Sequence, residues 1–416
     1  MTNQFKRASE PIGGAQLFWR RKFCGSHWVI RSILASLIIF TALILALWPQ
    51  IRAHLQAIAV LRQLSGTPAP SCLQFLAAEP VTAHSFMLHG SQDAAPAILY
   101  VPDHHPNAPG IVILHGVHYL GMTDPRMVNL ARAISACGLR VLTPALPGMQ
   151  DYHVTPSAIT RIGDAANWMA KTTGHPVGMM GISFSGGLAL MAAAEPQYAD
   201  HVSFVFTLGA HDSMSRVAQF YDAGEDTFPD GTIEHLAPHE YGPQVLEYEH
   251  LEDFTDPADT KIVSAALRAH LTENFAMERT LIAGMTAAQK KEYLRVTHPR
   301  LNPQNLDSPL ADSSRKHAAE FDAVSPHGHL QGLRARVLVL HGRADNIIPY
   351  AESEWLQRDL PAGTLQAILV SPVVSHVNTE TAYVPSLMDE WRLVHLMAQV
   401  MEDAERAPTP TKISAQ

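Results

Sequence analysis

Cysteine is scarce: Cys24, Cys72 and Cys137 are the only three in 416 residues. So few thiols build no disulfide framework, and the fold must be held by its core. No Cys/His group has the spacing of a zinc site, so most of the 23 histidines read as surface or packing residues. Basic charge is also in deficit. The 30 Lys+Arg face 39 Asp+Glu, a net charge of −9, which argues against a nucleic-acid partner. Charged residues make up only 17% and apolar ones 47%, which excludes a disordered chain and provides for a large core. Long apolar runs are missing as well, with one exception near the N-terminus.

That exception is residues 32–48, SILASLIIFTALILALW, with no charge among them. Adding Trp28, Val29 and Ile30 brings it close to the ~20 residues that span a bilayer. Trp28 and Trp48 stand where interfacial aromatics belong. Lys6, Arg7, Arg20, Arg21, Lys22 and Arg31 precede the run against one acid, Glu10, while Arg52 and Arg62 follow it sparsely. The positive-inside rule then predicts a cytoplasmic N-terminus and a remainder carried across the membrane, periplasmic in a Gram-negative bacterium. A cleaved signal peptide is the competing reading. The basic lead is long for one, and no small-x-small site directly follows. A core helix is disfavoured by an apolar surface on every side.

The organisation expected from composition is a basic cytoplasmic tail (1–27), a transmembrane signal anchor (28–50) and a stalk with linker (51–80). A first part of the core (81–212), a helical insertion (213–332), a second part of the core (333–403) and a disordered tail (404–416) follow. Short apolar runs at 84–89, 97–101, 111–114, 140–144, 176–180, 202–208, 335–340 and 365–370 read as strands. Helical spacing at 127–137, 158–171, 188–195, 351–358 and 383–402 separates them. Such alternation implies an α/β fold, a mostly parallel sheet covered on both faces. The insertion shows no clear strand run and is expected to cover the sheet's C-terminal edge, where open α/β folds bind ligands. A separate helical domain unrelated to catalysis is the alternative. Its Met214, Phe220, Tyr221, Phe228 and Phe275 either line an apolar site or form the insertion's own core, the second being the commoner outcome.

Chemistry concentrates at Gly181, Ile182, Ser183, Phe184, Ser185, Gly186 and Gly187, between an apolar strand and a small-residue helix. A serine at so abrupt a turn projects from the backbone at a helix N-terminus, where negative charge is favoured. This is the pattern of a nucleophile elbow, G-x-S-x-G, with Ser185 in place of the second glycine. A serine hydroxyl needs a base. His376, in the stretch after the last strand, is better placed than His395, inside the final helix. The imidazole needs a carboxylate to fix its tautomer. Asp345 follows the strand before it through a short Gly342 turn, and Asp212, at the end of an earlier strand, is the alternative. The oxyanion requires two amide donors: that of Phe184 and one after His115 and Gly116, most simply Val117 or else His118. His115 and His118 make a weak metal pair without a third ligand, so neither metal nor cofactor is expected.

These pieces resemble the α/β-hydrolase superfamily, in its esterase/lipase and dienelactone-hydrolase-like branches. The matching residues are Ile113 to Gly116, Gly181 to Gly187, Leu340 to Asp345, and Ser375 with His376. The resemblance spans about 84–402 apart from the insertion. It implies an α/β-hydrolase sheet with a helical cap, with Ser183 as nucleophile, His376 as base and Asp345 as acid. A serine nucleophile departs from the branches that use aspartate and from dienelactone hydrolases proper, which use cysteine. The implied activity is cleavage of a small-molecule carboxylic ester or thioester through an acyl-enzyme. Peptidase or acyltransferase chemistry, and a non-catalytic binding role, are the alternatives on the same fold. No feature speaks to the oligomeric state.

Overall fold

The computed structural model describes residues 15–67, 73, 76–298, 308–374 and 384–406, with side chains from residue 28 onward. Two compact units divide after Arg52. The first holds most of the helix Ala15–Leu64. Its apolar side chains stand outside any core; Ile38 and Ile39 are each 68% exposed. Among the described residues Trp28–Leu64 is the one helix long and apolar enough to cross a membrane, by length and composition, and it is a candidate anchor or signal sequence.

Among its described residues the second unit has ten strands: β1 (Val81–Leu88), β2 (Ala95–Pro102), β3 (Gly110–Leu114), β4 (Arg140–Pro144), β5 (Val177–Ile182), β6 (Val202–Leu208), β7 (Glu225–Thr227), β8 (Ile233–His235), β9 (Arg336–Gly342) and β10 (Leu365–Ser371). Eight of them form one sheet in the order β1-β2-β4-β3-β5-β6-β9-β10. β2 runs antiparallel to both β1 and β4. Every later neighbouring pair is parallel. β3 and β4 are buried at all five positions, so they read as unbroken apolar runs and not as alternating ones.

The two faces of the sheet separate by strand periodicity. Val112, Leu114 and Met179 face one core with the helices Pro156–Thr173 and Phe184–Ala194. Ile111, Ile113 and Met180 face the other, with Pro125–Ser135, Leu387–Glu405 and the residues Ala53, Ala57 and Val60. All eleven residues of Phe184–Ala194 are buried. A helix enclosed on every side has no use for a polar face, which explains its run of alanine, leucine and glycine.

Among the described residues between β6 and β9 lie seven α-helices and a small antiparallel ribbon, β7 paired with β8. The ribbon differs from the strand-free expectation. Its three-residue strands carry Glu225, Asp226 and Thr227 against exposed Ile233, Glu234 and His235, so no apolar alternation announces them. Among the described residues the insertion's apolar side chains join the core of the sheet. Val217, Val245 and Val263 continue the same apolar cluster as Val112 and Met179. Met214, Phe220 and Tyr221 are buried in that cluster, Phe228 packs on Tyr350 with ring centroids 5.1 Å apart, and Phe275 is half exposed.

Candidate active site

Ser183 lies between β5 and the helix Phe184–Ala194, with φ 59° and ψ −137°. A left-handed backbone at a residue with a Cβ costs of order 1–3 kcal/mol and persists only where its surroundings impose it. Here the surroundings are visible. The Ser183 N–H donates to Leu208 O (2.8 Å), and Ser183 O accepts from Gly186 N–H (2.9 Å). A Cβ on Gly181 would lie 2.5 Å from Gly186 Cα, so only glycine lets strand and helix approach this closely. Ser185, the departure from the common pattern, is fully buried. Its hydroxyl accepts from Ile182 N–H (2.9 Å) and faces Ile182 O (2.8 Å) and Leu114 O (3.1 Å), stitching the turn to β3.

The loop after β3 passes directly beside the serine: a Cβ on Gly116 would come within 3.1 Å of Ser183 Cβ. His115 anchors this loop. Its Nε2 accepts from Leu146 N–H (3.1 Å) and its Nδ1 donates to Gly116 O (2.8 Å). Burial pushes its pKa down to about 4, so the ring is neutral. Both nitrogens serve the backbone, which leaves neither for a metal. His118 accepts from Leu120 N–H (3.4 Å) and lies 3.6 Å from Asp124. Among the described residues, the amides of Phe184, Val117 and His118 donate no hydrogen bond within the protein.

A cavity of about 440 Å³ opens here. Gly116, Val117, Ser183 and Phe184 line it, facing Tyr241 and Val245 of the insertion. Asp124, which caps the following helix and holds Arg126 through both carboxylate oxygens (3.1 and 2.7 Å), also lines it, as does Glu273, in a left-handed conformation. The sequence reading missed Tyr241, Arg126 and Glu273. Only Asp124-Pro125 carries a local signal there, that of a helix start.

Ile182, Leu208 and Leu340 are register partners across β5, β6 and β9. Ser183 and the turn after β9 therefore leave the sheet at one edge. Asp345 is 2% exposed in that turn, and its Oδ1 accepts from Ile347 and Ile348 N–H, both at 3.0 Å. Its Oδ2 lies 3.6 Å from His341 Nε2. Asp212, the alternative acid, is fully buried after β6 and paired with Arg216. Arg216 Nε also donates to Glu352 Oε1 (2.8 Å), and Glu352 Oε2 accepts the N–H groups of Asp212 (2.7 Å) and Ser213 (2.8 Å). Burial, then Glu352, raises the Asp212 pKa to about 7 against the pull of Arg216. His395 is exposed and engaged with His54 (3.0 Å) and Gln399 (3.1 Å), outside the cavity. His376 lies in 375–383, outside the described residues. Of the five residues expected to carry the chemistry, the structure places Ser183, Phe184 and Val117 on one cavity and Asp345 in the turn whose Ile347 also lines it.

A family model described as alpha/beta hydrolase fold matches residues 109–370, well over half of the chain. The protein belongs to the α/β-hydrolase family. No curated protein matches it in sequence. Among solved structures it is similar to an esterase of Pyrobaculum calidifontis, at 15% identity over 85% of this chain and 91% of that one, with a TM-score of 0.40. A 2,6-dihydroxy-pseudo-oxynicotine hydrolase is similar at 15% identity over 80% of this chain and 71% of that one, with a TM-score of 0.41. The acylaminoacyl peptidase of Pyrococcus horikoshii is similar at 12% identity over 79% of this chain but only 42% of the peptidase, with a TM-score of 0.44. Similarities this remote bear on no substrate.

Proposed function

We propose that the protein is a membrane-anchored serine hydrolase that cleaves a carboxylic ester or thioester through an acyl-enzyme. One observation carries the reading: Ser183 is held in a left-handed turn at a helix N-terminus, on the wall of a cavity, beside backbone amides that donate to no group among the described residues. In this reading Ser183 Oγ attacks the acyl carbon, and His376 takes the proton and returns it to the leaving alcohol or thiol. Asp345 orients the imidazole. The Phe184 and Val117 amides receive the charge on the carbonyl oxygen, each such donor being worth ~2.7–4 kcal/mol in the transition state. Water then releases the acid. The insertion 213–332 acts as a cap, and a cavity of about 440 Å³ suits a small acyl or alcohol group better than an extended polypeptide. The apolar span near the N-terminus holds the chain in the membrane with its N-terminus in the cytoplasm and the hydrolase unit outside it.

The test is covalent labelling by a fluorophosphonate, with Ser183→Ala as control. The reading requires one adduct per chain on Ser183 and none in the variant. A folded protein that stays unlabelled, or labels elsewhere, refutes it.

A further inference from the structure

We propose that Tyr241 is a positioning residue of the oxyanion hole, fixing the Val117–His118 peptide from the cap. The inference rests on the serine-hydrolase reading above and deepens it. Tyr241 opens the helix Tyr241–Glu249, lines the cavity with Ser183, and donates its hydroxyl to Val117 O at 2.6 Å. Among the described residues no other group donates to that carbonyl. A peptide is a rigid plane, so holding the Val117 oxygen also fixes the His118 N–H at its other end and restricts the Val117 N–H one residue back. These are the amides from which the second oxyanion donor is drawn.

The tyrosine is braced for this task. Its own N–H donates to His239 Nδ1 (3.2 Å), and the His239 N–H donates to Asn346 O (2.8 Å), next to Asp345. Three residues of the cap thus join the loop after β9 to the loop after β3. The Tyr241 ring meets Tyr152 edge-on at 6.4 Å, and Tyr152, itself left-handed at φ 63°, donates to Leu271 O (2.5 Å). Behind it the helix packs closely on the cap: a Cβ on Gly242 would fall 2.5 Å from the Tyr221 ring. Burial raises the Tyr241 phenol far above its ordinary range, so it remains a donor at any working pH. Oxyanion donors work by being aimed in advance at the charge that develops. The cap therefore contributes to the chemical step as well as to enclosure.

The experiment uses the full-length protein. Tyr241→Phe should lower kcat roughly 10- to 100-fold with KM changed less than about twofold, the size expected of a donor misaimed but not removed. Affinity for a trifluoromethyl ketone, whose adduct with serine carries the oxyanion, should fall by the same factor. Affinity for the carboxylic acid product, a ground-state ligand, should hold. Placing 4-aminophenylalanine at position 241 should restore much of the loss, and 4-fluorophenylalanine, which fills the space without donating, should not. That pair decides the matter even if the Phe variant folds poorly. Unchanged kcat and ketone affinity in a labelled Tyr241→Phe protein, or a loss confined to KM, overturns the role of Tyr241 alone. Wild-type protein that no fluorophosphonate labels overturns the parent reading first.

Discussion

Two neighbouring parallel strands, β6 and β9, each end in a buried aspartate, and the fold treats the two differently. Asp212 is packed against Arg216, which it shares with Glu352. Asp345 is held instead by two amides of its own loop, both on one oxygen. In the first case one guanidinium serves two buried acids, and burial still raises the Asp212 pKa to about 7. In the second, the backbone fixes the carboxylate's orientation in a turn that borders the cavity. Burial alone therefore does not tell the two carboxylates apart; their partners do. Asp212 is tied to a guanidinium from the helix that follows it, whereas Asp345 takes two amides on one oxygen and faces His341 with the other.

The sharpest way to break this contrast is substitution at both ends. Asp345→Ala should lower kcat by about 10³–10⁴, the order seen when a serine triad loses its acid. Asp212→Ala should leave kcat/KM of the folded protein within about threefold but cost roughly 2–3 kcal/mol of stability, as a charge-assisted hydrogen bond and its buried partner are lost. Steady-state kinetics paired with urea unfolding reads both. The opposite pattern would transfer the acid to β6.

A finer test uses pH. Two acids share one guanidinium, and Asp212 holds its proton until about pH 7, above the 3.8 of an ordinary aspartate. The unfolded chain gives up that proton first. The stability Asp212 contributes is therefore complete below about pH 4 and lost as pH rises through 7. Asp212→Asn mimics the protonated acid and should flatten this part of the stability profile; an unaltered slope would place the titration elsewhere. His115 runs the other way. Its folded pKa of about 4 lies below the ordinary 6.5, so its contribution is present above 6.5 and lost as pH falls toward 4. Histidine-to-glutamine substitution there should remove that acid-side slope.

The smallest expected effect is at Ser185. Ser185→Gly restores the usual elbow pattern but removes the hydroxyl that binds Ile182 and Leu114. It should cost about 1 kcal/mol and change kcat by less than twofold, measured by thermal unfolding and turnover. A large loss of turnover would give that hydroxyl a part in the chemistry.

The sheet was legible because its central strands are buried on both faces, which leaves continuous apolar runs such as Ile111 to Leu114 and Val202 to Leu208. The strand–turn–helix around Ser183 was legible because so close an approach of strand and helix demands small residues, as Gly181 shows. The ribbon β7–β8 was not, since neither strand carries an apolar face. Asp212 and Asp345 looked alike in sequence because what separates them, Arg216 with Glu352 on one side and the Ile347 and Ile348 amides on the other, depends partly on chain distant from Asp212. Tyr241 lies 124 residues from Val117, and no local pattern announces a contact of that range. His376 was proposed from its place after the last strand, and its position is outside the described residues.

A serine hydrolase of the kind proposed must carry a covalent acyl group on Ser183 during turnover. Rapid quenching with an activated p-nitrophenyl ester, followed by intact-protein and peptide mass spectrometry, tests it directly. A nitrophenol burst close to one per chain and an acyl mass on the peptide containing Ser183 are expected, both absent in Ser183→Ala. Turnover without a burst or acyl mass, or undiminished in the variant, would contradict it.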